Sequence, residues 1–221
     1  MTVRVWDLPV RLFHWLLVAL FIALWVSGKT GKLDIHMVLG PAALTLLLFR
    51  VGWGLVGSRT ARFSDFIAGP RSVLTYLRGV REGRPWPGLG HNPLGGWSVL
   101  ALLALLMVQG SAGLFTSDDI FTDGPLAWTI SSASVKQFSM VHRLGAKLLL
   151  VLVALHVAAV LFYLLAKGEN LVRPMLSGAK RVPPELAAKA ASLEFRSPWL
   201  ALALLAMAAA VVFGGLRLLG H

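Results

Sequence analysis

Five long apolar runs separated by polar segments organise this chain: Leu12–Gly28, His36–Gly57, Gly96–Phe115, Ser139–Ala166 and Trp199–Gly220. Crossing a bilayer core takes about 20 mostly apolar residues; four runs reach that length and the first falls slightly short. Inside hydrocarbon every backbone N–H and C=O must be satisfied within its own segment, so each run is predicted to be a helix. The expectation is an all-α membrane protein with five transmembrane helices, folded as one integral membrane domain over residues 1–221. The first run, preceded by Arg4 and Arg11, also has the outline of a signal peptide. No small-residue cleavage site follows it and a histidine lies inside it, so it is read as a retained span.

Shorter elements are predicted between the spans. Val73, Leu74, Leu77 and Val80 form one apolar stripe within Arg71–Arg81, the pattern of a helix lying on the membrane surface. Pro183-Pro184 suits the start of a short helix through Ala191, and Pro198 opens the last span beside Trp199, an interface anchor. No internal repeat or low-complexity tract is found.

Composition agrees: 57% of residues are hydrophobic, 14% are charged, and the mean hydropathy is +0.73. A net charge of +11 suggests nucleic acid in a soluble protein, but here its placement answers a different question. Arg4 and Arg11 precede the first span. Arg59, Arg62, Arg71, Arg78, Arg81 and Arg84 fill the second loop, and Lys167, Arg173, Lys180, Arg181, Lys189 and Arg196 the fourth. The first and third loops hold Lys29, Lys32 and Lys136 beside Asp34, Asp118, Asp119 and Asp123. Positive loops stay in the cytoplasm, which predicts an N-terminus inside, a C-terminus outside and an acidic third loop facing the periplasm or its equivalent. The chain has no cysteine, which excludes iron–sulfur clusters, thioether-attached haem and disulfides.

Four histidines then acquire depths. His14 opens the first, outward-running span and lies near the cytoplasm; His36 opens the second, inward-running span and lies near the outside. His142 and His156 are fourteen residues apart on the fourth span. At ~100° per residue that leaves them within about 40° of one face and roughly 21 Å apart, His142 outside and His156 inside. The pairs of matching depth are His14 with His156 and His36 with His142. A polar side chain in hydrocarbon is by default a functional hypothesis. Two bis-histidine pairs, one near each surface, are what two b-type haems require of a helical bundle. A closed zinc site wants four ligands at one depth and fits less well. His91, in a loop rich in Pro and Gly, and His221, the last residue, are not read as ligands.

Other residues suit the same picture. Arg50, fourteen residues after His36 on the same face, is a candidate partner for a haem propionate, the alternative being a side chain that snorkels to the interface. Arg143 and Lys147 are the corresponding candidates at the outer haem. Gly40, Gly110 and Gly113 are candidates for leaving room for a flat macrocycle, although glycines also serve ordinary helix packing in membranes.

These residues resemble the bacterial cytochrome b561 and nickel-hydrogenase cytochrome b subunit superfamily. The resemblance lies in Val5-Trp6-Asp7-Leu8-Pro9-Val10-Arg11-Leu12-Phe13-His14-Trp15, in His36-Met37-Val38-Leu39-Gly40 followed by Arg50 and Trp53, and in His91-Asn92-Pro93-Leu94-Gly95-Gly96-Trp97. It continues through Gln109-Gly110, Gly113-Leu114-Phe115 and His142-Arg143-Leu144-Gly145 to His156, spanning Val3 to Lys167. It implies a four-helix core (residues about 3–167) holding two b haems on His14, His36, His142 and His156, with a peripheral fifth helix at about 198–220.

The expected function is electron transfer across the membrane, in a respiratory chain, between a periplasmic redox partner and the quinone pool. The partner is read as a c-type cytochrome or a dehydrogenase or hydrogenase subunit, docking on the acidic third loop; lipid surrounds the chain and nucleic acid is not a partner. One alternative is a stand-alone oxidoreductase passing electrons from superoxide to ubiquinone, with Lys29, Lys32, Arg143 and Lys147 steering the anion. A second is a membrane transporter or structural subunit that uses the histidines without haem.

Overall fold

The computed structural model describes residues 1–84, 86 and 88–219, so Gly220 and His221 lie outside the described residues. In chain order the elements are β1 (Thr2–Arg4), α1 (Leu8–Lys29), α2 (Leu33–Val56), α3 (Phe63–Phe66), α4 (Pro70–Arg81) and α5 (Pro93–Gly113). There follow α6 (Ser132–Ala166), α7 (Val172–Ser177), β2 (Ala179–Arg181), α8 (Pro184–Ala191) and α9 (Pro198–Leu219). Helices α1, α2, α5, α6 and α9 are the five that are long and apolar enough to cross a membrane among the described residues. Leu16, Val38, Val108, Leu155 and Val211 are exposed along them, a surface that lipid covers and water would not tolerate.

Helix starts fall earlier than the apolar pattern predicts, because capping residues set them. Asp7 Oδ1 accepts the Val10 N–H at 2.8 Å, so α1 begins at Leu8, with Pro9 in its first turn where no helix bond is lost. Asn92 Oδ1 accepts the Gly95 N–H at 2.7 Å and opens α5. Ser131 Oγ accepts the Ser134 N–H at 3.2 Å, which starts α6 seven residues before its apolar run. At 35 residues α6 is roughly 52 Å long against a hydrocarbon core of about 30 Å, so its first turns project beyond the core.

The chain divides into two compact units. Unit 1 is Met1–Leu12, Val51–Ala101 and Ala154–Ala201, which brings the N-terminus together with the basic second and fourth loops. β1 pairs antiparallel with β2, Thr2 opposite Arg181 and Arg4 opposite Ala179. This ribbon was not expected from the apolar pattern. Gly178, at φ 81° where a side chain would be strained, caps α7, and its carbonyl accepts the Val5 N–H at 2.8 Å. Thr60 Oγ1 donates to Val5 O at 2.7 Å, and the Arg196 N–H donates to Ser58 Oγ at 3.1 Å. The expected surface helix is α4, with Tyr76 buried and Leu74 and Leu77 exposed. The expected helix after Pro183 is α8.

Unit 2 is Phe13–Arg50, Leu102–Val153 and Leu202–His221. Gly31 at φ 68° turns α1 into α2 within three residues. The loop after α5 folds against the projecting start of α6: Ser139 Oγ accepts the Ser117 N–H at 3.1 Å, and the Phe115 and Phe138 rings lie 5.1 Å apart. At its tip Asp118 Oδ1 accepts the N–H groups of Ile120, Phe121 and Thr122 at 2.9, 2.9 and 2.8 Å. This exposed carboxylate of the acidic third loop thus also folds its own loop. A cavity of about 230 Å³ lined by Leu44 and Leu48 of α2, Met107 and Ser111 of α5, and Val211 and Gly215 of α9 shows the fifth helix beside the second and third spans.

Candidate functional site

The tight turn at Gly31 returns the start of α2 alongside the end of α1, where His36 Nδ1 lies 3.0 Å from the Leu24 carbonyl and 3.3 Å from Ser27 Oγ. Gly28 permits this approach, since a Cβ there would stand 3.3 Å from that nitrogen. His142 is held in the same manner from α5: its Nδ1 lies 2.9 Å from the Gln109 carbonyl, and the end of the Gln109 carboxamide is 3.1 Å away. A Cβ on Gly113 would come within 2.9 Å of His142 Cε1, and one on Gly145 would overlap the Gln109 amide.

Both rings belong to unit 2, with centres 6.1 Å apart and planes 85° from parallel. A nitrogen about 2 Å from a metal on each side, with each ring centre about 1.1 Å behind its nitrogen, places two ligating imidazoles roughly 6 Å apart. The described hydrogen bonds of both rings are made by Nδ1, which fixes the tautomer that leaves Nε2 as the lone-pair donor.

The other predicted residues are placed individually. His14, in unit 2, meets Trp15 edge-on with ring centres 4.9 Å apart; His156, in unit 1, is half-buried on α6. Arg50 is 3% exposed, so its guanidinium is covered by protein and does not snorkel outward. Arg143 and Lys147 are exposed on α6, roughly 100° and 140° round from His142. A Cβ on Gly40 would meet nothing within 4 Å, whereas one on Gly110 would meet Leu44 Cδ2 at 2.6 Å, so Gly110 brings α5 close to α2. His91 lies between Trp6 and Phe66, ring centres at 4.7 and 4.6 Å. His221 is outside the described residues.

Ser27, Gly28, Gln109 and Gly145 are not among the site residues expected from the sequence, although Gln109 and Gly145 lie in its family-like motifs. Gln109 carried a signal, being an amide within an apolar run. The carbonyl of Leu24 carried none, since any residue supplies one.

The family model of prokaryotic cytochrome b561 matches residues 5–178, four of the five spans. The chain belongs to the prokaryotic cytochrome b561 family. No curated protein and no solved structure matches it. As a cytochrome b561 it is a multi-pass inner-membrane protein of the b type that binds haem b and takes part in electron transfer. That leaves the transporter reading without support.

The residues fit the group that the family implies. A haem iron takes four nitrogens from its porphyrin and only two ligands from the protein. Two perpendicular imidazoles at 6.1 Å, each anchored through Nδ1, are a donor set suited to such an iron in this cytochrome b561. A haem held by two imidazoles supplies one-electron transfer without an open position for oxygen.

Proposed function

We propose that this cytochrome b561 holds two b haems and carries electrons between a redox partner on the periplasmic side and the quinone pool. His36 and His142 hold the outer haem, and His14 and His156 the inner one. The observation that carries the reading is the 6.1 Å spacing of two rings whose Nδ1 atoms are both engaged by backbone carbonyls. Support for the inner pair comes from the sequence, where these two histidines share a depth and fourteen residues separate His156 from His142.

The chain's own groups do the rest. Arg50, a cationic side chain covered by protein, favours a propionate at its depth on α2. Arg143 and Lys147, being exposed, provide cationic charge around the outer haem's solvent side. The N-terminus and both basic loops share unit 1, which supports their lying on one side of the membrane, and their charge assigns that side to the cytoplasm. The outer partner is a c-type cytochrome or a dehydrogenase or hydrogenase subunit. Quinone then adjoins the inner haem, since the outer one faces the donor.

The test is stopped-flow mixing of the dithionite-reduced, purified protein with a short-chain quinone. Both haems are expected to reoxidise in one kinetic process, and His156→Ala to lose the haem that reacts first. Haems that stay reduced in excess quinone would overturn the quinone link.

A further inference from the structure

Each outer histidine meets one backbone carbonyl and one side chain through Nδ1, and the side chain is nearer at His142. Behind His36, Nδ1 lies 3.0 Å from the Leu24 carbonyl and 3.3 Å from Ser27 Oγ, which itself donates to that carbonyl at 3.1 Å. Behind His142 two groups of a single residue converge on Nδ1, the Gln109 carbonyl at 2.9 Å and the Gln109 carboxamide at 3.1 Å. With Nε2 given to a metal, Nδ1 carries the proton and can only donate. Carboxamide oxygen and nitrogen have the same outline, so the amide atom facing a protonated Nδ1 is the oxygen. The His142 N–H is then shared between two acceptors, one of them a side chain.

The glycine pattern supports that arrangement. Gly145 lies one turn after His142 on the buried face of α6, and a Cβ there would overlap the Gln109 carboxamide. Helix packing alone would accept alanine at such a position; the amide is what leaves no room for it.

We infer that Gln109 is a positioning residue which, through the space left by Gly145, gives the His142 Nδ1–H a second acceptor and so lowers the reduction potential of the outer haem. An acceptor on Nδ1–H makes the imidazole a stronger donor to iron, which favours the oxidised metal. The inference rests on His36 and His142 holding a haem.

The test is an equilibrium redox titration of the purified holoprotein, followed optically, with low-temperature electron paramagnetic resonance of the oxidised form. Gln109→Leu removes the second acceptor, Gln109→Asn withdraws it, and Gly145→Ala pushes it aside. Each is expected to shift the outer haem toward reduction by about tenfold in its equilibrium, about 59 mV for one electron, leaving the inner haem unmoved. Gln109→Glu is expected to shift it the other way. The resonance of the outer haem should change in the same variants, a signature that a purely structural role would not produce. Wild-type potentials in all of the variants that load haem would overturn the inference. If His142→Ala removes a haem and these variants leave that haem's potential untouched, only the role of Gln109 falls. If His142→Ala removes none, the outer-pair reading falls and takes this inference with it.

Discussion

Asp7 and His142 are both polar side chains among apolar helices, and the protein provides for them in opposite ways. Asp7 is 2% exposed and fully used: Oδ1 accepts the Val10 N–H at 2.8 Å and Oδ2 accepts Trp53 Nε1–H at 2.9 Å. Trp53 is itself buried, and a Cβ on Gly57 would overlap its carbonyl and ring. Around His36 and His142 the described hydrogen bonds are made by Nδ1, and glycines at 28 and 113 keep side chains away from the rings. One cluster is closed on itself; the other is held through Nδ1 alone among the described hydrogen bonds, as the proposed haem ligation requires. The first kind of cluster should fail by loss of stability, the second by loss of cofactor.

Substitutions that separate stability from haem content break or sharpen this contrast. The largest effect is expected for Asp7→Ala, which removes a helix cap worth about 1 kcal/mol and strands the buried Trp53 N–H at about 1–3 kcal/mol more. Thermal unfolding in detergent should show this loss while the haem spectrum below the transition stays that of the wild type. Haem lost at undiminished stability would move Asp7 into the site. Gly113→Ala should do the reverse. Its Cβ would press on His142 Cε1 at 2.9 Å, so haem content should fall toward one per chain with the apoprotein's unfolding little changed. Gly40→Leu sharpens the same point, because a side chain there meets open space in the protein. Haem extraction should show a reduced content, and full loading would mean that the macrocycle does not lie over this turn of α2.

The smallest effect concerns the loop after α5. The N–H groups of Thr122, Ile120 and Phe121 hold the Asp118 carboxyl below its ordinary value of about 3.9. A depressed pKa means that the ionised form steadies the loop; this contribution is complete above about pH 3.9 and is lost as pH falls through the lowered value. Asp118→Ala should therefore speed proteolytic nicking between residues 117 and 124 at neutral pH, and Asp118→Asn, which keeps an oxygen acceptor but loses the charge, should speed it less. Equal nicking of both would show that charge, and not the three N–H bonds, matters there.

The five spans were legible because apolar length is written directly in the chain, and so were α4, with its stripe, and α8, with its prolines. The ligand candidates were legible for a related reason: fourteen residues between His142 and His156 convert into depth and face without tertiary information. The β1–β2 ribbon was not, because each strand is three residues long and its partner lies at the other end of the match. Nor was the early start of α6, whose first turns carry Ser, Lys and Gln and project beyond the hydrocarbon that makes a span recognisable. The supports of the histidines stayed hidden because they are carbonyls and missing Cβ atoms, which acquire meaning only when helices pack.

The most direct test of the central claim is the haem-to-polypeptide ratio, measured side by side on purified wild-type protein and on His36→Ala. The account predicts a ratio near two for the wild type and near one for the variant, whose remaining haem keeps a low-spin spectrum. A wild-type ratio near one that His36→Ala leaves unchanged would contradict it, and the pair of rings 6.1 Å apart would then be structural.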